Sequence, residues 1–155
     1  MTTMASLICA TPEQTAAAGR RLGYLLRPGM VVLLQGELGA GKTTFAQGLA
    51  DGYGVAGPVT SPSFALIHEY RTASRCMVHY DPFRLDPAAA IHDTGWFDYL
   101  NDEVLLVIEW PERLGTSVPV PHLRVSIETM EDGGRHLKLS SNPPEFLTGF
   151  AGAWA

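Results

Sequence analysis

The chain has 155 residues, 46% of them apolar and 17% charged, with eleven Lys and Arg against sixteen Asp and Glu and a formal charge of −5. That length predicts one domain over residues 1–155 burying roughly two thirds of its unfolded surface, so no disulfide scaffold or coiled coil is needed. The acidic balance argues against a broad nucleic-acid-wrapping surface, no stretch reaches the roughly 18 apolar residues of a membrane span, and Met1–Ala10 lacks the basic and apolar regions of a leader, so a cytoplasmic protein is expected.

Ser6-Leu7-Ile8-Cys9 reads as a short strand. Thr11 then stands as a helix N-cap, Pro12 suits the first turn and Gln14 has capping-box spacing. Ala18, Leu22 and Leu25 or Leu26 recur at helical spacing, and the helix is expected to stop near Arg27-Pro28-Gly29. Met30-Val31-Val32-Leu33-Leu34 is wholly apolar, as a strand covered on both faces of a parallel sheet would be. A turn-rich stretch from Gly36 to Gly41 leads into a helix over Thr44–Ala50. Phe64 to Tyr70 and Met77 to Tyr80 read as further strands, and Asp86 to Leu100 as loop and short helix. Val104 to Ile108 is the second continuous apolar run. Leu123–Ile127 and Arg135–Leu139 alternate in hydropathy around Asp132-Gly133-Gly134, which predicts a hairpin with one wetter face. The apolar tail after Asn142-Pro143-Pro144 is expected to dock on the domain. Cys9 and Cys76 lack metal-ligand spacing and read as separate buried thiols.

Gly36-Glu37-Leu38-Gly39-Ala40-Gly41-Lys42-Thr43 matches GxxxxGK[ST], with a buried strand before it and a helix after it. Glycines let successive amides turn toward phosphate oxygens, the helix start adds a positive dipole end, Lys42 reaches the β and γ phosphates and the Thr43 hydroxyl suits Mg²⁺. The only lysines are Lys42 and Lys138, against nine arginines, so a compact ammonium is retained at this spot in a chain that otherwise uses Arg.

Phosphoryl chemistry also needs carboxylates for the metal and the attacking water. Glu109 closes the apolar strand that ends at Ile108, and Asp81 closes the strand that ends at Tyr80. In an open parallel sheet, strand carboxyl ends share one crevice, so both acids are expected beside Lys42. His79 shares the face of Asp81 and reads as a core or supporting histidine. Trp110 is expected to pack or to stack on a base, and Thr60-Ser61-Pro62-Ser63 lies where a γ-phosphate sensor would sit.

Four blocks in this order resemble the bacterial TsaE (formerly YjeE) family of small P-loop ATPases, which takes part in making threonylcarbamoyladenosine on tRNA. They are Gly36 to Phe45, Thr60-Ser61-Pro62-Ser63-Phe64, His79-Tyr80-Asp81-Pro82-Phe83-Arg84-Leu85 and Ile108-Glu109-Trp110-Pro111-Glu112-Arg113. Ser63 stands where the family usually has Thr, and Pro82-Phe83 where it usually has Leu-Tyr. The resemblance implies an α/β fold of the P-loop NTPase type: a three-layer sandwich with a mixed, mostly parallel sheet and a C-terminal antiparallel hairpin. It also implies an ATPase using ATP and Mg²⁺, slow alone, that works with TsaD-like and TsaB-like subunits of a threonylcarbamoyl-transferase complex; the negative net charge argues that tRNA is contacted indirectly.

The nucleotide-binding set expected on these grounds is Gly36, Glu37, Leu38, Gly39, Ala40, Gly41, Lys42, Thr43 and Thr44, with Ser61, Ser63 and Trp110. Thr43, Glu109 and Asp81 are the expected metal ligands, and Lys42, Asp81 and Glu109 the catalytic groups. Asp81 would orient water and Glu109 the metal, with exchange of the two roles left open. The rival readings are a small-molecule kinase, in which Arg71, Arg75 and Arg84 would belong to a lid, and a scaffold that holds nucleotide without turnover. A GTPase lacks support, since no Asn-Lys-x-Asp motif exists.

Overall fold

The computed structural model describes residues 5–37, 39–55, 67–72, 74–82 and 96–154. It contains strands β1 (Ala5–Cys9), β2 (Val31–Gly36), β3 (Ile67–Arg71), β4 (Cys76–Tyr80), β5 (Val104–Glu109), β6 (His122–Thr129) and β7 (Arg135–Asn142). Helices α1 (Pro12–Gly23) and α2 (Lys42–Tyr53) and four short 3-10 turns complete the described chain.

The strands form one sheet in the order β1-β7-β6-β2-β5-β4-β3. Its centre, β6-β2-β5-β4, is parallel. Antiparallel pairs flank it, with β7 and β1 beyond β6 and β3 beyond β4. The apolar runs occupy the centre because only there is a strand covered on both faces: every residue of β5 is buried, as are Val31 to Leu34 of β2. Alternate side chains divide the core. Val32, Leu34, Leu105 and Val107 pack toward α1 and α2, while Val31, Leu33, Leu106 and Ile108 face the opposite side, where Leu114 of the 3-10 turn Pro111–Ser117 covers them. The α/β class, the mixed sheet and the β6–β7 hairpin agree with expectation. Strands Ala5–Cys9, Ile67–Arg71 and Cys76–Tyr80 fall within a few residues of their expected spans, while residues 64–66 and 83–95 lie outside the described residues.

Helix α1 starts as expected. Gln14 N–H donates to Thr11 Oγ1 at 3.2 Å, and Gln14 Oε1 accepts from Ala10 N–H at 2.6 Å. It ends at Gly23 rather than near Arg27, a correction with a local cause. Leu25 and Leu26 N–H groups bond the carbonyls three residues back, on Leu22 and Gly23, so the chain tightens into a turn that still delivers Leu26 to the core. Helix α2 is longer than expected, beginning at Lys42 itself and ending where Gly54 takes φ 91°.

The two helices touch through backbone. A Cβ added at Gly19 would lie 2.3 Å from the Phe45 carbonyl oxygen, and one at Gly48 would lie 1.9 Å from that of Ala16. Close approach pins the P-loop helix to α1. The tail docks on the same assembly: Trp154 Nε1–H donates to the Ala18 carbonyl at 3.0 Å, and its ring meets Phe45 edge-on at 6.2 Å between centroids. Cys9 and Cys76 are both free and buried, as read from the sequence. No helix among the described residues is long and apolar enough to cross a membrane.

In an ordinary helix, glycine to alanine stabilises by roughly 0.5–1 kcal/mol. Gly48→Ala should reverse that sign and destabilise by about 2 kcal/mol or more, because the methyl meets rigid backbone. Urea unfolding of the two proteins, followed by circular dichroism, measures the difference.

Candidate functional site

The loop between β2 and α2 gathers at the carboxyl end of the central strands. Gly36 leaves β2 against the hairpin, where a Cβ would lie 2.8 Å from the Ile127 carbonyl oxygen. Gly39 and Gly41 then take φ 80° and 106°, left-handed values that a side chain resists. Ala40 N–H donates to the Glu37 carbonyl at 3.0 Å, and Phe45 N–H to that of Gly41 at 2.9 Å, so the turn runs directly into α2. Thr43 is exposed on the first turn and Thr44 half-buried; Leu38 lies outside the described residues.

Lys42 is only 6% exposed. Its Nζ donates to the Gly36 carbonyl at 2.7 Å and sits 3.4 Å from the centroid of the Trp110 ring. Burial pushes its pKa down from the ordinary lysine value, and the carboxylates of Glu109, Asp81, Glu112 and Glu37, in that order, oppose the fall. All four act on one ammonium through their charge, and Glu109 and Asp81 are themselves nearly buried, at 3% and 7% exposure. Parallel pairing explains the convergence: Tyr80 of β4 lies beside Ile108 of β5, and Glu109 beside Leu34 of β2, two residues before the loop.

His79 is fully buried, with Nε2 2.5 Å from Glu109 Oε2. The two side chains are thus paired across the adjacent strands β4 and β5. The donor set of Glu109, Asp81 and the Thr43 hydroxyl is all oxygen, which suits Mg²⁺. Such an ion is normally held by one or two carboxylates plus substrate phosphates, so the lack of any cluster of three or more His, Cys, Asp or Glu among the described residues is compatible with it.

Trp110 is the one non-glycine residue with positive φ among the described residues, at φ 51° and ψ 53°. Its ring covers the Lys42 ammonium, a contact worth about 2 kcal/mol when desolvated. Ser61 and Ser63 lie outside the described residues, as does Arg84. Arg135 at the start of β7 was not singled out by sequence reasoning. Its Nε–H donates to the Ala40 carbonyl at 2.8 Å and its Nη2 to that of Gly39 at 3.3 Å, which ties the hairpin to the back of the loop. No local motif marks it, because the partnership spans 95 residues.

A parallel sheet with a glycine loop, an invaginated lysine and strand-end acids defines a P-loop nucleotide-binding fold. Known proteins agree. The family model described as "Threonylcarbamoyl adenosine biosynthesis protein TsaE" matches residues 9–137. The tRNA threonylcarbamoyladenosine biosynthesis protein TsaE of Bacillus subtilis is 32% identical, over 84% of this chain and 81% of its own. The protein of the same name from Treponema pallidum is 36% identical, over 83% and 94%. The crystal structure of Bacillus subtilis YdiB superposes with a TM-score of 0.79 at 28% identity, covering 95% of this chain and 93% of that one. The chain belongs to the TsaE family.

The left-handed backbone at Trp110 inverts the usual ranking of small residues. An L side chain costs roughly 1–2 kcal/mol in that region, so Trp110→Gly should be about 1 kcal/mol more stable than Trp110→Ala. Denaturant titration of the two variants side by side tests it; alanine at or above glycine would contradict the assigned conformation.

Proposed function

We propose that the protein is a Mg²⁺-dependent ATPase of tRNA threonylcarbamoyladenosine synthesis, working with TsaD-like and TsaB-like subunits of the threonylcarbamoyl-transferase complex. The observation that carries this reading is the meeting of buried Lys42 with strand-end Asp81 and Glu109 at the mouth of one phosphate loop. Family membership supports the pathway and, through it, the partners.

In this reading the amides of residues 39–42 face the β and γ phosphates. Lys42 exchanges the Gly36 carbonyl and the Trp110 ring for phosphate oxygens. Thr43 and Glu109 would hold Mg²⁺, directly or through water, and Asp81 would orient the attacking water; both acids act on Lys42 through their charge, so the two roles could be exchanged. Mg²⁺, when bound, neutralises the terminal phosphates. Its positive charge would offset the carboxylates whose fields act on Lys42 and which would repel a bare polyphosphate. Ser61 or Ser63 senses the γ phosphate. Contact with tRNA is left to the partner subunits, consistent with the net charge of −5.

Lys42→Ala should abolish Mg-ATP binding by calorimetry. Asp81→Asn should bind within about threefold of wild type yet lose about 100-fold or more in turnover, the scale of one missing transition-state contact. Phosphate release is to be measured with and without the partner subunits; Lys42→Ala binding at wild-type strength would sink the reading.

A further inference from the structure

Every residue of β4 is buried, and among them stands His79, fully enclosed. Parallel register sets it beside Val107, and because side chains alternate along a strand, the next residue of β5 on that face is Glu109. The imidazole reaches the carboxylate along this diagonal, with Nε2 2.5 Å from Oε2. We propose that His79 is the positioning residue of Glu109, holding Oε2 through its Nε2–H so that the other carboxylate oxygen is aimed at the Mg²⁺ of the bound nucleotide. The inference rests on the ATPase reading above and deepens it by separating the two acids: Glu109 takes the ion and Asp81 the attacking water.

Packing alone does not call for a histidine here. Its neighbours in the register are Met77, Leu105 and Val107, which belong to the apolar core under α1 and α2, so an aliphatic side chain would fill the space without burying a polar ring. The ring is accounted for by the carboxylate it meets. Two lone pairs facing each other at 2.5 Å would repel, so Nε2 bears the hydrogen and Oε2 is the acceptor.

A glutamate at this position needs such a partner. Its last torsion is broad and roughly two-fold, so an unheld carboxylate does not fix which oxygen faces the site. Glu109 is 3% exposed, which leaves little room for solvent to do the holding. With Oε2 engaged from behind, the plane of the group is set and Oε1 is the oxygen left for the ion. A rigid oxygen suits Mg²⁺, which demands near-ideal octahedral geometry. Glu109 is also the acid that acts most strongly on Lys42, so a carboxylate fixed by His79 steadies the field around the ammonium as well. Groups that orient a metal ligand from behind typically contribute about 10–100-fold to metal affinity.

His79→Leu removes the donor at similar volume, while His79→Gln keeps an N–H at comparable reach. Mn²⁺, a paramagnetic stand-in for Mg²⁺, is titrated by electron paramagnetic resonance in the presence of a non-hydrolysable ATP analogue. His79→Leu should weaken Mn²⁺ about tenfold or more, and His79→Gln should return to within about threefold of wild type. Affinity for the analogue in EDTA should stay within about twofold of wild type in both variants, because the phosphate loop is untouched. In a Glu109→Gln background, His79→Leu should add less than about twofold, since its effect passes through that carboxylate. Nitrogen-15 spectra of the histidine rings of wild-type protein should show the hydrogen on His79 Nε2, independently of any variant. A bare Nε2, an unchanged Mn²⁺ affinity in His79→Leu, equal losses in the Leu and Gln variants, an undiminished loss in the Glu109→Gln background, or a parallel loss of analogue affinity in EDTA would each overturn the inference while the phosphate loop stood. Wild-type protein that bound neither the analogue nor Mn²⁺ would instead bring down the nucleotide reading itself, and this inference with it.

Discussion

A single ammonium, taken out of water and set among carboxylates, organises this molecule. Lys42 loses hydration by burial and recovers it from the Gly36 carbonyl, the Trp110 ring and the field of four acids. Each compensation constrains a different part of the chain. The Gly36 contact folds the loop back on its own strand, the Trp110 contact accompanies a left-handed residue directly after β5, and the acids must arrive at two strand ends together. The site is under tension in a chemical sense: the lysine's present partners are weaker than a phosphate would be, so they can be displaced.

The sheet supplies that arrangement through its mixed topology. Parallel strands β4, β2 and β5 end at the same level, so Asp81, the glycine loop and Glu109 stand at the same end of the sheet with no long loop needed to bring them there. The antiparallel flank performs a separate task. Because β7 runs against both β6 and β1, its first residue, Arg135, lies beside Cys9 and reaches the carbonyls of Gly39 and Ala40. The loop is thus held from the front by Lys42 and from behind by Arg135. The α2 helix that follows it is immobilised against α1 by backbone contact at Gly19 and Gly48 and by the docked Trp154.

Most of what lies along the chain was legible before the fold was known. The buried strands were legible because strands covered on both faces are apolar without interruption, as Val104 to Ile108 is. The α1 start was legible because capping is local chemistry among Thr11, Pro12 and Gln14. Its end was not, since Leu25 and Leu26 keep helical spacing while the backbone has already tightened into a turn. Glu109 and Asp81 stood out because each closes an apolar run. Neither the His79 contact to Glu109 nor the reach of Arg135 left any local trace.

The sequence by itself determined the phosphate-loop motif, the strand-end acids and the family, because these depend on short, contiguous patterns whose chemistry is carried by residue type and spacing. Only the tertiary structure decided that Trp110 lies on the lysine, that His79 abuts Glu109, and that a cavity opens between Thr11, Thr44 and Arg135. Those relations are made by strand register and helix packing between segments remote along the chain, and register is a cooperative property of the whole sheet that no single segment encodes.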